Sequence, residues 1–162
     1  MNNYYIRSAE TGDATAACEV MRRSITEVCA PDYDNDQVII SDWLSNKTAE
    51  NVSNWIRSSR TYSVVGCNQQ GEIVGFSSIA LTGEILLNYV LPEALHKGLG
   101  KLMLEAMESE VISKGVEEVI VVSSITAKPF YERNGYVKNG EPVMVGNLAG
   151  DFPLVKRMFV RD

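Results

Sequence analysis

One stretch constrains this chain more than any other: Ile85-Leu86-Leu87-Asn88-Tyr89-Val90, then Leu91-Pro92, then His96-Lys97-Gly98-Leu99-Gly100-Lys101. The apolar run reads as a buried strand. Beyond it Leu99, Leu102, Met103, Ala106, Met107 and Val111 recur at helical spacing, with Lys101, Glu105 and Glu108 on another face. A strand therefore ends at a proline, a short loop turns through two glycines, and a helix begins. Glycines there let backbone come close to a ligand, and the free amides of a helix start point outward. The helix dipole, with Lys97 and Lys101, makes that end positive. The expectation is an anion cradle, with phosphate as the anion. A Walker A loop is excluded, because Leu102 follows Gly100-Lys101 where a hydroxyl residue is needed for magnesium. A dinucleotide fingerprint is excluded as well, because Met103 stands where its third glycine belongs. A glycine-rich turn that only caps a helix would show the same local pattern, so the rest of the chain has to decide.

The remaining sequence narrows the setting. With 162 residues, 45% of them hydrophobic and 22% charged, the chain is expected to form one soluble globular domain over residues 1–162. A net charge of −6 argues against a nucleic-acid partner held through phosphates, and is compatible with a cationic amine substrate. No stretch has the length of a membrane-spanning helix, and the segment from Met1 to Arg7 lacks a secretion-signal pattern. Cys18, Cys29 and Cys67 are widely spaced and form no Cys-x-x-Cys pair, which fits reduced thiols in a cytoplasm. With His96 as the lone histidine, no metal is expected.

The periodicity gives the order of elements. A short strand at Tyr4–Ala9 leads through Thr11-Gly12-Asp13 to a helix over Ala14–Val28, with Ala17, Val20, Met21, Ser24 and Val28 on one stripe. Cys29 to Asp36, rich in acidic turn formers and containing Pro31, breaks that helix. Helical pieces follow over Gln37–Ser45 and Thr48–Ser58, the second opening on Thr48-Ala-Glu-Asn51 as a capping box. Two β-rich runs, Thr61–Asn68 and Glu72–Leu81, flank the hairpin signal Gln69-Gln70-Gly71. Val119–Val122 is apolar without alternation, as in an interior strand buried on both faces. A short helix over Ala127–Arg133 precedes a closing pair of strands, Tyr136–Val145 and Phe152–Val160. These elements read as one α/β domain with a mixed sheet.

A second motif stands downstream: Thr126-Ala-Lys-Pro-Phe130-Tyr131-Glu-Arg-Asn134-Gly135-Tyr136. A Phe-Tyr pair near the end of a short helix, then Asn-Gly, then an aromatic opening the next strand, is a specific arrangement. Together with Val90-x-Pro92 and Gly98-x-Gly100 it resembles the GCN5-related N-acetyltransferase (GNAT) superfamily, over about Thr61 to Tyr136. The resemblance implies an acyl-CoA N-acyltransferase fold, whose central mixed sheet is splayed open at the cofactor site and flanked by helices. Acetyl-CoA would lie in that opening as co-substrate. Asn88, Tyr89 and Val90 would meet pantetheine and the acetyl carbonyl, and the amides of His96, Lys97, Gly98, Leu99, Gly100 and Lys101 would hold the pyrophosphate. Tyr131 matches the position that protonates the departing thiolate. Two positions depart from the family pattern: Leu95 replaces a Gln or Arg, and Ser124 replaces an asparagine that contacts coenzyme A. A hydroxyl keeps one of those hydrogen bonds.

What the resemblance implies is direct acetyl transfer to a primary amine of a small molecule or peptide, with backbone amides stabilising the oxyanion. The alternative is a domain of the same fold that binds acyl-CoA as a sensor or interaction module without transfer. Glu84, which begins the central strand, is the candidate general base; a solvated turn residue would look the same. The first helices and their loop would build the acceptor pocket, which makes Cys29, Asp32 and Tyr33 the candidate substrate residues, with Asp34 and Asp36 beside them. A polar surface turn is the competing reading of the three aspartates. Trp43 and Trp55 read as core anchors, and Cys29 as a packed thiol more than a nucleophile. A homodimer formed through the last strands is one arrangement the resemblance allows.

Overall fold

In the computed structural model, which describes residues 3–145 and 148–158, the chain begins with strand β1 (Tyr4–Ser8) and helix α1 (Ala14–Ser24). Ala17, Val20, Met21 and Ser24 are buried along one face of α1, as their spacing requires. The helix does not continue regularly to Val28. It widens into a π-helical turn over Ile25–Cys29 and then tightens into a 3-10 turn over Ala30–Tyr33. Pro31 has no N–H to give the α-helical ladder, so the chain leaves it there. Asp34 then adopts a left-handed backbone and stops the turn.

Helix α2 (Gln37–Leu44) starts at Asp36, whose carboxylate accepts from the amides of Val38 and Ile39. Helix α3 (Ala49–Arg57) starts at Thr48, whose hydroxyl accepts from the Asn51 amide at 3.1 Å. The capping box is half made: the Asn51 side chain donates to the Asn46 carbonyl instead of returning to Thr48.

Strands β2 (Thr61–Asn68), β3 (Ile73–Ala80) and β4 (Glu84–Val90) then form an antiparallel meander. Helix α4 (Leu99–Ser113), strand β5 (Glu118–Ser123), helix α5 (Lys128–Arg133) and the short strands β6 (Val137–Lys138) and β7 (Val143–Val145) lead to β8 (Leu148–Arg157). The eight strands make a mixed sheet in the order β1-β2-β3-β4-β5-β8-β6, with β7 on β8. Helix α4 packs on β1, β2 and β3, α1 packs on β3 and β4, and α3 packs on β2. Leu99, Met103, Met107 and Val111 of α4 are buried in the resulting core with Phe76, Ile79 and Met21.

Among the described residues, only β4 and β5 run parallel to each other as neighbours, and their pairing stops at Glu84↔Ile120 and Ile85↔Val121. A register shift between Ser78 and Ile79 opposes them to Leu87 and Ile85, so Leu86 is the extra residue of a bulge. Beyond it β4 keeps its bonds to β3 and β5 keeps its bonds to β8, and a fork opens between β4 and β5.

Three expectations need correction. Strand β5 alternates: Val119, Val121 and Ser123 are buried, whereas Ile120 and Val122 are exposed. The helices on that side lie over β2, β3 and β4, which leaves this face of β5 open. Glu108 is buried, not outward. It accepts a hydrogen bond from the Tyr136 hydroxyl at 2.7 Å and pairs with Lys156 at 3.3 Å. The expected strand Tyr136–Val145 is two short strands, and β8 is paired along both edges, with β5 on one side and with β6 and β7 on the other. A second copy therefore finds no long free edge along β8. Residues 159 and 160 of the expected last strand lie outside the described residues. No helix among the described residues is long and apolar enough to cross a membrane.

Candidate active site

The fork opens into a cavity of about 850 Å³. One wall is β4, which contributes Leu86, Asn88, Tyr89 and Val90. The floor at one end is the loop before α4, with His96, Gly98, Gly100 and Lys101. The opposite wall comes from β5, the turn after it, and α5: Val122, Ser124, Thr126, Phe130, Tyr131 and Arg133. The other end is closed by Cys29, Tyr33 and Trp43, with Asp151 of β8 across from them.

At the α4 end, the backbone is turned by His96 and Gly98, both left-handed, with φ of 59° and 89°. Gly98 is the N-cap of α4 and no side chain caps that helix. The first amides of α4 are thus left for an anion, at the positive end of a 15-residue helix. A Cβ on Gly98 would meet nothing within 4 Å, so the space beside the helix start is clear. Gly100 is held close to α5: a Cβ there would lie 3.3 Å from the Phe130 ring. Lys97 is exposed and does not line the cavity, and Leu99 points into the core; the backbone amides of these two residues are what the helix start presents.

At the middle of the fork, Asn88 and Tyr131 meet. The Ser77 hydroxyl donates to the Asn88 side-chain oxygen at 2.8 Å, and the Asn88 amide donates to the Tyr131 phenol oxygen at 2.9 Å. Tyr131 is held edge-on between the Phe130 and Tyr136 rings, with centroids 5.2 and 5.4 Å away. Burial pushes its phenol up to about 12, and the Asn88 hydrogen bond opposes that only in part. The group is therefore a neutral proton donor across the physiological range, and its own proton is free to point into the cavity. Ser124 also lines the cavity, but its hydroxyl accepts from the Ala127 amide at 3.2 Å and organises the turn into α5.

At the far end, Tyr33, Trp43 and Tyr89 pack as a run of rings, 5.5 Å and then 6.4 Å between centroids. Burial, then the nearby Asp32 charge, pushes the Cys29 thiol up to about 12. Burial, then the charges of Asp151 and Asp32, pushes the Tyr33 phenol up to about 12 as well. Burial likewise raises Tyr89 above the ordinary phenol range. Asp151 apart, the side chains named at this end of the cavity are uncharged at neutral pH.

The expected site residues thus divide. Asn88, Tyr89, Val90, His96, Gly98, Gly100, Lys101, Ser124 and Tyr131 come together around one cavity, and Cys29 and Tyr33 join them at its far end. Glu84 does not: it is exposed, stands where β4 and β5 are still paired, and is not among the lining residues. Asp32 does not line the cavity either; its carboxylate accepts from the Thr126 hydroxyl and from the Thr126 amide. Arg133 and Asp151 are lining residues that the sequence reading missed. Arg133 lies two residues past Tyr131 in the same motif and could have been singled out there. Asp151 reaches the site through the pairing of β8 with β5, which no local pattern announces.

Residues 29–150 match the acetyltransferase (GNAT) domain family. The chain is 29% identical over 136 residues to an uncharacterised N-acetyltransferase, YafP, of Escherichia coli K12, covering 84% of this chain and 83% of that protein. Its fold is similar to a GCN5-related N-acetyltransferase structure from Rhodopseudomonas palustris, with a TM-score of 0.83 at 22% identity and 98% of both chains covered. It is similar also to the PaiA N-acetyltransferase of Thermoplasma acidophilum in complex with coenzyme A, with a TM-score of 0.79 at 23% identity over 96% of this chain and 99% of that one. A mixed sheet forked beside its central strand, a bare helix start at one end of the fork and a match over most of the length lead to one conclusion: the chain belongs to the GNAT acetyltransferases, the acetyl-CoA-dependent N-acyltransferases.

Proposed function

We propose that this enzyme transfers the acetyl group of acetyl-CoA directly to a primary amine, with Tyr131 as the acid that protonates the leaving thiolate. The observation that carries this reading is the Asn88–Tyr131 contact inside the fork. It fixes the phenol oxygen as an acceptor toward β4 and leaves its proton for a group in the cavity.

The rest of the cavity supports the same placement of acetyl-CoA. The pyrophosphate would rest on the amides of Gly98 to Lys101, with His96 and Lys101 beside it. Pantetheine would run along the β4 edge that the fork frees, where Tyr89 and Val90 have no β5 partner. The thioester then lies at the middle of the fork. A neutral amine attacks its carbonyl carbon, the C–N bond forms and the C–S bond breaks; the Tyr131 proton goes to sulfur, and the proton shed by the nitrogen passes to solvent water, from which the phenolate is reprotonated, leaving amide and thiol. Glu84 is not given the role of base, since it stands outside the cavity.

The test is calorimetric titration with acetyl-CoA, followed by release of coenzyme A thiol in the presence of amines. Saturable binding with amine-dependent release supports the transferase. Binding without release from any amine would make the chain an acyl-CoA sensor instead.

A further inference from the structure

We infer that the acceptor is a primary monoamine carrying an apolar, preferably aromatic, body, whose nitrogen Asp151 first receives as ammonium and which attacks only after that proton has passed to solvent water. This deepens the transferase reading and rests on it.

The acidic tract of the sequence would suggest a polycation, but its carboxylates are used elsewhere. Asp36 caps α2 through its bonds to Val38 and Ile39. Asp32 is bonded to Thr126. Asp34 is exposed and does not line the cavity. Among the described lining residues, Asp151 is the one carboxylate. It lies near enough to Tyr33 for its charge to raise that phenol. A polyamine or an aminoglycoside would place further ammonium groups against Cys29, Tyr33 and Trp43, which are uncharged, and would lose their hydration without a partner. The same surface suits a ring or a branched chain.

The two strand walls point the same way. Leu86, displaced by the β4 bulge, and Val122 both line the cavity yet are 47% and 56% exposed. An apolar body lying across them covers surface that water now covers, at about 25 cal/mol per Å². An acceptor bearing its own carboxylate, such as an amino acid, would set that charge near Asp151. Of the cations in the lining, Lys101 stands at the α4 start and Arg133 stands on α5.

The experiment is coenzyme A release at saturating acetyl-CoA with phenethylamine, spermidine, kanamycin and phenylalanine, on the parent protein and on Asp151→Asn. A hydrogen bond to a charged group is worth about 1.5–3 kcal/mol, so Asp151→Asn should raise the phenethylamine KM by about tenfold or more. Acetyl-CoA affinity should be unchanged in that variant. Phenethylamine should exceed each of the other three in kcat/KM. A preference for spermidine, kanamycin or phenylalanine, or an Asp151→Asn enzyme equal to the parent, overturns the assignment and leaves the transferase reading in place. Acetyl-CoA binding with no turnover of any amine overturns both.

Discussion

Asn88 holds the phenol of Tyr131 from across the fork, 2.9 Å from amide to oxygen, and is itself held by Ser77 at 2.8 Å. Two strands and a helix are thereby committed to the position of one oxygen. Removing that oxygen should cost turnover and spare binding. Tyr131→Phe keeps the ring between Phe130 and Tyr136 and deletes only the proton donor. General acid catalysis contributes roughly 10²- to 10⁴-fold, so kcat should fall by about 10²-fold or more. Acetyl-CoA affinity by calorimetry should stay within about twofold. An unchanged kcat would remove Tyr131 from the chemistry.

The helix start gives a prediction with its own control. Gly98 sits at φ 89°, where a side chain strains the backbone by roughly 1–2 kcal/mol, least for Asn. A Cβ there meets open space, the space assigned to the pyrophosphate. Gly98→Val should therefore lower the melting temperature and abolish acetyl-CoA binding. Gly98→Asn should fold nearly as the parent does and still bind weakly. If Gly98→Val binds acetyl-CoA as the parent does, the cradle lies elsewhere.

How much of this was readable beforehand depended on whether the signal was local. The strand, the turn and the helix start at Glu84–Ser113 are contiguous, so hydrophobic period and two glycines placed the elements that line one end of the cavity. The Tyr131 motif is contiguous too. Glu108 was misplaced because helical period assigns a face and cannot foresee that Tyr136 and Lys156 will meet a carboxylate inside the core. The apolar run of β5 looked doubly buried because apolar residues on an open face and on a covered face read alike. Asp151 was missed because only the long-range pairing of β8 with β5 carries it to the cavity. The acidic tract misled for the opposite reason: its charges are conspicuous in sequence, yet they serve as a cap and a tie between loops.

Glu108 provides a stability prediction independent of activity. Its carboxylate is buried and accepts from Tyr136 at 2.7 Å and from Lys156 at 3.3 Å. Tyr136→Phe strands one of its acceptor positions, at a cost of about 1–3 kcal/mol in denaturant unfolding. Adding Glu108→Leu to that variant removes the unsatisfied charge and should recover part of the loss. Additive losses in the double variant would mean that the pair is not coupled.

The raised groups around the cavity fix the direction in which stability changes with pH. Cys29, Tyr33 and Tyr131 lie at about 12 in the folded chain, above their ordinary values of 9.0, 10.0 and 10.0. Between those values the folded protein holds protons that the unfolded chain has released, so stability falls as pH rises. Their contribution is complete below about pH 9 and is lost progressively between about pH 9 and pH 12. Thermal melts should therefore decline on the alkaline side. Cys29→Ala removes a thiol that burial keeps protonated, and it should delay the onset of that decline to about pH 10, where the tyrosines begin to contribute. Alkaline melts of Cys29→Ala that superimpose on the parent would show that the thiol is not buried against the cavity as described.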